Sequence, residues 1–199
     1  TQVTTVIPYF NNFIRDIPNL ISLSKINDGK LLKYWEGLGY YSRIKNLKKT
    51  AQIVRLKFKG RLPSTIYELK SLPGIGDYTA NAIMAIAFNK PFIPLDGNIE
   101  RVIKRLLNLK LVNEISKENL IKEKKILGTS TRSSDYAQAL MELGALVCRP
   151  KNPLCSQCPL TKNCKSFKKN DFEITKQSKK KIDKFYLVEV YKRNNQFLL

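Results

Sequence analysis

The spacing of apolar residues constrains this chain more than any other feature. Over most of its length they return every three or four positions, and no convincing strict alternation appears before residue 185. That period belongs to helices that each bury one stripe, so an all-α fold is expected there. In "TQVTTVIPYF", Val3, Val6, Ile7 and Phe10 already sit at helical spacing. No capping side chain or acidic first turn precedes them, so the chain is expected to begin partway along a helix. "DGKLLKYWEGLG" places Leu31, Leu32, Trp35 and Leu38 on one face and stops at Gly37 and Gly39. "NLKKTAQIVRLKF" follows, then "PSTIYELKSL", with Ser64 or Thr65 as its cap. In "DYTANAIMAIAFN" the buried stripe is Ala80, Ile83, Met84, Ala87 and Phe88. "DGNIERVIKRLLNL" turns Ile99, Val102, Ile103, Leu106 and Leu107 inward, with Arg101, Lys104 and Arg105 outward. A last helix, "DYAQALMELGALVC", runs into the first cysteine. At the C-terminus, residues 185–190, a turn at 193–195 and a return strand to Leu199 read as a hairpin. A lone hairpin is barely stable in water, so the chain is expected to end inside a domain as well.

Charge narrows the partner. The net charge is +20, from 36 basic and 16 acidic residues, and such an excess points to a polyanion, usually nucleic acid. The distribution is uneven: residues 30–61 hold ten basic residues against one acid, Glu36. Tyr34, Trp35, Tyr40 and Tyr41 lie among them, a mixture suited to phosphate contact with base stacking or wedging. A second run, residues 165–184, carries eight Lys and reads as an exposed linker. No apolar run approaches the roughly 20 residues that cross a bilayer, so no membrane partner is expected.

Three motifs carry chemistry. In "LPGIGDYTANA", Gly74 and Gly76 make a tight turn between helices, both able to adopt positive φ and to admit another backbone. The amides of the turn and of the next helix then face outward as a phosphate site, although a bare pair of glycines also suits an ordinary helical hairpin. In "PFIPLDGNIERV", Asp96 is placed to cap the helix that follows. All four cysteines fall in "CRPKNPLCSQCPLTKNC", spaced C-x6-C-x2-C-x5-C. In a DNA-seeking chain such clustering favours a reducing compartment and a metal over disulfides. Zinc suits four thiolates, but zinc ribbons generally use two short pairs, and here only Cys155 and Cys158 form one.

Hairpin, Pro-containing loop and aspartate, in that order, resemble the helix-hairpin-helix/Gly-Pro-Asp superfamily of DNA glycosylases. Within it, "TQVTTVIPYF", "WEGLGYYSRIKNL", "LPGIGDYTANAI" and "LDGNIERV" are similar to the blocks of the MutY-type adenine DNA glycosylase family. The resemblance implies excision of adenine mispaired with 8-oxoguanine from double-stranded DNA, by a bacterial cytoplasmic enzyme acting as a monomer. It implies a catalytic Asp96 that stabilises a developing sugar cation, with Tyr78 nearby and Asn98 orienting Asp96 or the water. Gly74 and Gly76 would hold backbone phosphate, Tyr40 would wedge the duplex, and Thr1 and Gln2 would edge a loop near the lesion. Cys148, Cys155, Cys158 and Cys164 would carry a four-iron, four-sulfur (4Fe-4S) cluster, since their spacing matches that of the endonuclease III-like enzymes. Endonuclease III itself is the rival reading, but its glycosylase/lyase chemistry needs a Lys where this chain has Tyr78, and a phenol cannot form an imine. A non-catalytic helix-hairpin-helix DNA-binding module is the other alternative. The family's general acid is a glutamate less than two helical turns before the Thr that aligns with Thr1. Residues 1–199 alone are therefore expected to show little excision.

The implied organisation is a helical barrel domain at 1–90 containing the hairpin at 72–82, then an iron–sulfur domain at 91–168. A basic linker at 169–184 and the start of a lesion-recognition domain at 185–199 follow.

Overall fold

In a computed structural model of the chain, residues 3–109 and 130–173 are described, together with the backbone of two short strands, 191–193 and 196–198. Helices α1 (Val3–Asp16), α2 (Leu20–Lys25), α3 (Asp28–Lys33) and α4 (Ser42–Lys57) come first. They are followed by α5 (Ile66–Lys70), α6 (Asp77–Ile86), α7 (Gly97–Leu107), α8 (Ser133–Glu142) and the four-residue α9 (Lys165–Lys168). Their starts follow side-chain chemistry. Asn19 accepts from Ser22 N to cap α2, and Asn27 accepts from Gly29 N and Lys30 N to cap α3. Thr65 and Glu68 face each other across the first turn of α5, where Thr65 Oγ1 receives Glu68 N at 3.3 Å.

Three apolar clusters hold these helices. Ile17, Leu23, Leu31, Ile44 and Ala51 join α2, α3 and α4 with the end of α1. Val54, Leu69, Leu72, Ala80 and Met84 lock α4 to α5 and α6, so the hairpin shares a core with the basic helix α4. Ile99, Ile103 and Leu140 pin α7 to α8.

Several expected faces differ. The stripe of α6 keeps Ala80 and Met84, with Ile83 and Phe88 packed against the same cluster, and adds Ala85, while Ala87 is exposed because α6 ends at Ile86 and the chain turns away. On α1, Ile7, Phe10 (57%) and Ile14 are exposed, and the contacts to the core come from Phe13 and Ile17. On α7 the outward placement of the cations is wrong. Lys104 and Arg105 are each only 4% exposed and Arg101 is half-buried, because both flanks of this helix are covered. Lys104 reaches back to Glu100 Oε1 at 2.5 Å. Residues 165–168 are not linker but helix α9, seated on α7 with Ser166 buried against Asn108 Oδ1 at 3.1 Å. At the C-terminus, β1 (Tyr191–Arg193) pairs antiparallel with β2 (Gln196–Leu198), with Arg193 opposite Gln196. Arg193 is therefore a paired strand residue rather than part of the turn, and residues 185–190 lie outside the described residues.

Candidate DNA-binding and catalytic site

The hairpin runs from α5 through residues 72–76 into α6. Gly74 alone takes a left-handed conformation (φ 77°), and a Cβ there would stand 2.9 Å from Asn46 Cβ on α4. Both conformation and packing demand glycine at that position. Gly76 departs from expectation: its backbone is extended (φ −93°, ψ −173°) and a Cβ would meet nothing within 4 Å. Its smallness answers no internal neighbour, leaving the start of α6 open to an approaching backbone. The buried hydroxyl of Thr50 on α4 donates to Pro73 O at 2.9 Å and fixes the turn to the basic helix. Between Asp77 and Lys70 an ion pair of 2.6 Å closes the hairpin's base.

Asp96 does cap α7. Its Oδ1 accepts from Asn98 N at 3.0 Å and Ile99 N at 2.7 Å. Its Oδ2 receives Asn98 Nδ2 at 3.2 Å, which a cap does not require. Asn98 is held in turn: Arg101 Nη2 donates to Asn98 Oδ1 at 3.0 Å and to Gly144 O at 2.5 Å, and Arg101 Nε donates to Cys148 O at 2.8 Å. Burial pulls the pKa of the Arg101 guanidinium below its ordinary value. Gly144 lies in a π-turn (Leu143–Val147) that follows α8, where a Cβ would come within 2.8 Å of Asn98 Cβ. A single close backbone approach thus sets the position of Asn98.

One helical turn further on, Arg105 donates to Arg149 O at 2.6 Å and Pro150 O at 2.8 Å. It also reaches Phe172 O at 3.3 Å and Cys148 Sγ at 3.5 Å. Arg101 and Arg105 together lash α7 to the cysteine loop. The four cysteines are free thiols, half-buried, and line one cavity with Val102, Leu106 and Phe167. Thr161 braces the loop by donating to Cys155 O and Cys158 O at 2.8 and 2.6 Å. Burial, then the neighbouring Cys148, Cys158 and Cys164, push the Cys155 thiol pKa up against the pull of Arg105. Four thiols that line one apolar cavity are a donor set that suits a cationic centre.

Tyr40 is 74% exposed and left-handed (φ 49°), and Arg43 stacks on its ring. Tyr78, in the first turn of α6, is 44% exposed, and no hydrogen bond joins it to Asp96 among the described residues. Thr1 and Gln2 lie outside the described residues. The structure therefore links Asp96 to Asn98 and, through Arg101, to the cysteine loop, two motifs that are about fifty residues apart in the chain. Sequence reasoning missed Arg101, Arg105 and Gly144. Only the four-residue spacing of the two arginines on α7 offered a signal.

Comparison with known proteins agrees with this geometry. The family model described as HhH-GPD superfamily base excision DNA repair protein matches residues 1–125. An adenine DNA glycosylase of Buchnera aphidicola (subsp. Baizongia pistaciae) is 40% identical over all of this chain and 58% of its own length. The chain thus spans a little over half of the curated relatives it matches. A thermostable thymine-DNA glycosylase superposes with a TM-score of 0.70 at 26% identity, covering 82% of this chain and 76% of that one. An endonuclease III in a non-covalent DNA complex shares the fold, with a TM-score of 0.68 at 24% identity over 84% of this chain and 78% of its own. With its hairpin, its capping aspartate and these matches, the chain belongs to the HhH-GPD superfamily of base excision DNA repair proteins.

Proposed function

We propose that this chain works in base excision repair as a monofunctional DNA glycosylase, hydrolysing the N-glycosidic bond of adenine mispaired with 8-oxoguanine or guanine. The observation that carries the reading is the second oxygen of Asp96. A helix cap uses Oδ1; Oδ2 is held separately by Asn98, which is itself held by Arg101. A carboxylate restrained beyond the needs of its helix is one kept in place for something outside it. Similarity to adenine DNA glycosylases supplies the base.

The hairpin amides grip the phosphate backbone beside the target, and Thr50 keeps them aligned with α4. The target nucleotide is turned out of the stack, and Tyr40 fills the space on the duplex side. As the bond from sugar C1′ to the purine nitrogen breaks, its electron pair leaves with the base and the sugar becomes cationic. Oδ2 of Asp96 faces that charge. Water then adds to C1′ and gives up a proton, while the departing base takes one up at a ring nitrogen, so the products are neutral adenine and an abasic site. Tyr78 offers no amine, so no Schiff base forms and the strand stays uncut. Cys148, Cys155, Cys158 and Cys164 would hold a 4Fe-4S cluster. Their sulfurs share one apolar cavity, and only Cys155 and Cys158 form the short pair that zinc ribbons use twice. When bound, the cluster ties the loop carrying Arg149 and Lys151 to α7 and takes no part in hydrolysis. Reduced thiols of this kind persist in the cytoplasm, where we place the protein.

The test uses the full gene product on a duplex containing one A:8-oxoguanine pair, with alkali revealing the abasic product. Asp96→Asn is expected to lower the excision rate at least about 10²–10³-fold, the scale of losing one electrostatic stabiliser, at unchanged duplex affinity. Asn caps a helix as well as Asp does, so the fold survives. Full activity in Asp96→Asn would overturn the reading. Trapping of a covalent adduct by borohydride would favour the lyase alternative instead.

A further inference from the structure

The turn at residues 37–43 is built to hold one aromatic ring in solvent. Three departures from ordinary backbone within four residues shape it: Gly37 at φ 87°, Gly39 at φ 69° and Tyr40 at φ 49°. A non-glycine residue in that region is held there by its surroundings. Below the turn, Trp35 Nε1 donates to Gly39 O at 2.7 Å, and the Tyr9 hydroxyl of α1 stands 3.2 Å from where a Gly37 Cβ would be. Beyond it, Arg43 N donates to Tyr40 O at 2.9 Å as α4 begins. The Arg43 guanidinium lies over the Tyr40 ring, 4.8 Å from its centroid.

We propose that Arg43 is a positioning residue for Tyr40, holding the ring ready to enter the duplex beside the mispair. The inference rests on Tyr40 being the wedge of the proposed function. An exposed tyrosine otherwise samples several rotamers and loses that freedom on insertion. A planar cation on its face removes part of the loss beforehand. Arg43 is exposed, and its guanidinium makes no hydrogen bond to a side chain among the described residues. It can therefore stay stacked on the ring while meeting a phosphate oxygen. A lysine ammonium, a point charge, cannot do both in that geometry. Arg43 thus couples backbone contact to wedge orientation.

The experiment measures affinity of the full gene product for an A:8-oxoguanine duplex and for the undamaged duplex. A 2-aminopurine beside the mispair reports unstacking. Arg43→Lys, which keeps the charge, is expected to lower the mispair-to-undamaged affinity ratio about two- to five-fold and to reduce the fluorescence rise. Tyr40→Leu lowers the ratio further, and adding Arg43→Lys to it changes nothing more. If Tyr40→Leu lowers the ratio but Arg43→Lys does not, the assignment of Arg43 falls and the wedge stands. If Arg43→Lys lowers the ratio equally with and without Tyr40, Arg43 acts on phosphate alone and the proposal is overturned. If Tyr40→Leu leaves the ratio unchanged, the wedge reading itself falls and takes this one with it.

Discussion

Asp96 and Tyr40 stand at opposite extremes of restraint. Asp96 is half-buried and meets three donors, and its partner Asn98 is fixed by a guanidinium that also holds the backbone carbonyls of Gly97, Gly144 and Cys148. Tyr40 stands out in solvent, held by a left-handed backbone and one stacked cation. The difference matches the two tasks proposed for these residues. A group that meets developing charge gains from being immobile before the reaction, since reorganisation would cost rate. A group that must enter a duplex has to remain accessible, and only its direction can be set in advance. One region is ordered through burial, the other through local backbone geometry.

Three substitutions test that contrast, taken from the largest expected effect. Arg105→Met removes a buried guanidinium and leaves the carbonyls of Arg149 and Pro150 without their donor, and should lower unfolding free energy by about 3 kcal/mol in urea denaturation. A near-neutral result would mean that apolar packing replaces the lashing, as happens for some buried charges. Gly144→Ala drives a methyl to within 2.8 Å of Asn98 Cβ, and overpacking of this kind costs roughly 1–3 kcal/mol. Its excision rate should fall as well, because Asn98 would shift against Asp96. Gly39→Ala meets nothing within 4 Å but must hold φ 69°, so about 1 kcal/mol of conformational strain is expected, read as a small drop in Tm. Should Gly39→Ala prove as damaging as Gly144→Ala, the wedge turn would be as tightly packed as the aspartate network and the contrast would collapse.

Helical class was legible because the apolar period of α4 to α8 is local information. So was the cap of α5, where Thr65 and Glu68 are three residues apart. The hairpin was legible as a motif, yet its two glycines could not be told apart. Gly74 is set by Asn46, a neighbour twenty-eight residues earlier, while Gly76 is set by open space. The cations of α7 were misplaced for a related reason. Charge predicts exposure when a helix has one solvent face, and α7 has its other flank against the cysteine loop. Long side chains there bury their stems and carry their charge to carbonyls.

By itself, the sequence determined most of the longer helices, the caps of α5 and α7, the hairpin, the four-cysteine spacing and the superfamily. All of these are written in residues close together along the chain, where spacing and side-chain type act directly. Tertiary structure alone decided that Arg101 runs from Asn98 to Cys148, that Gly144 must be glycine, and that Arg43 lies over Tyr40. Each of those facts depends on a distance between atoms, and most of those distances separate segments far apart in the chain. Burial then converts them into fixed hydrogen bonds, because a polar group removed from water is held by whichever partner the fold brings to it.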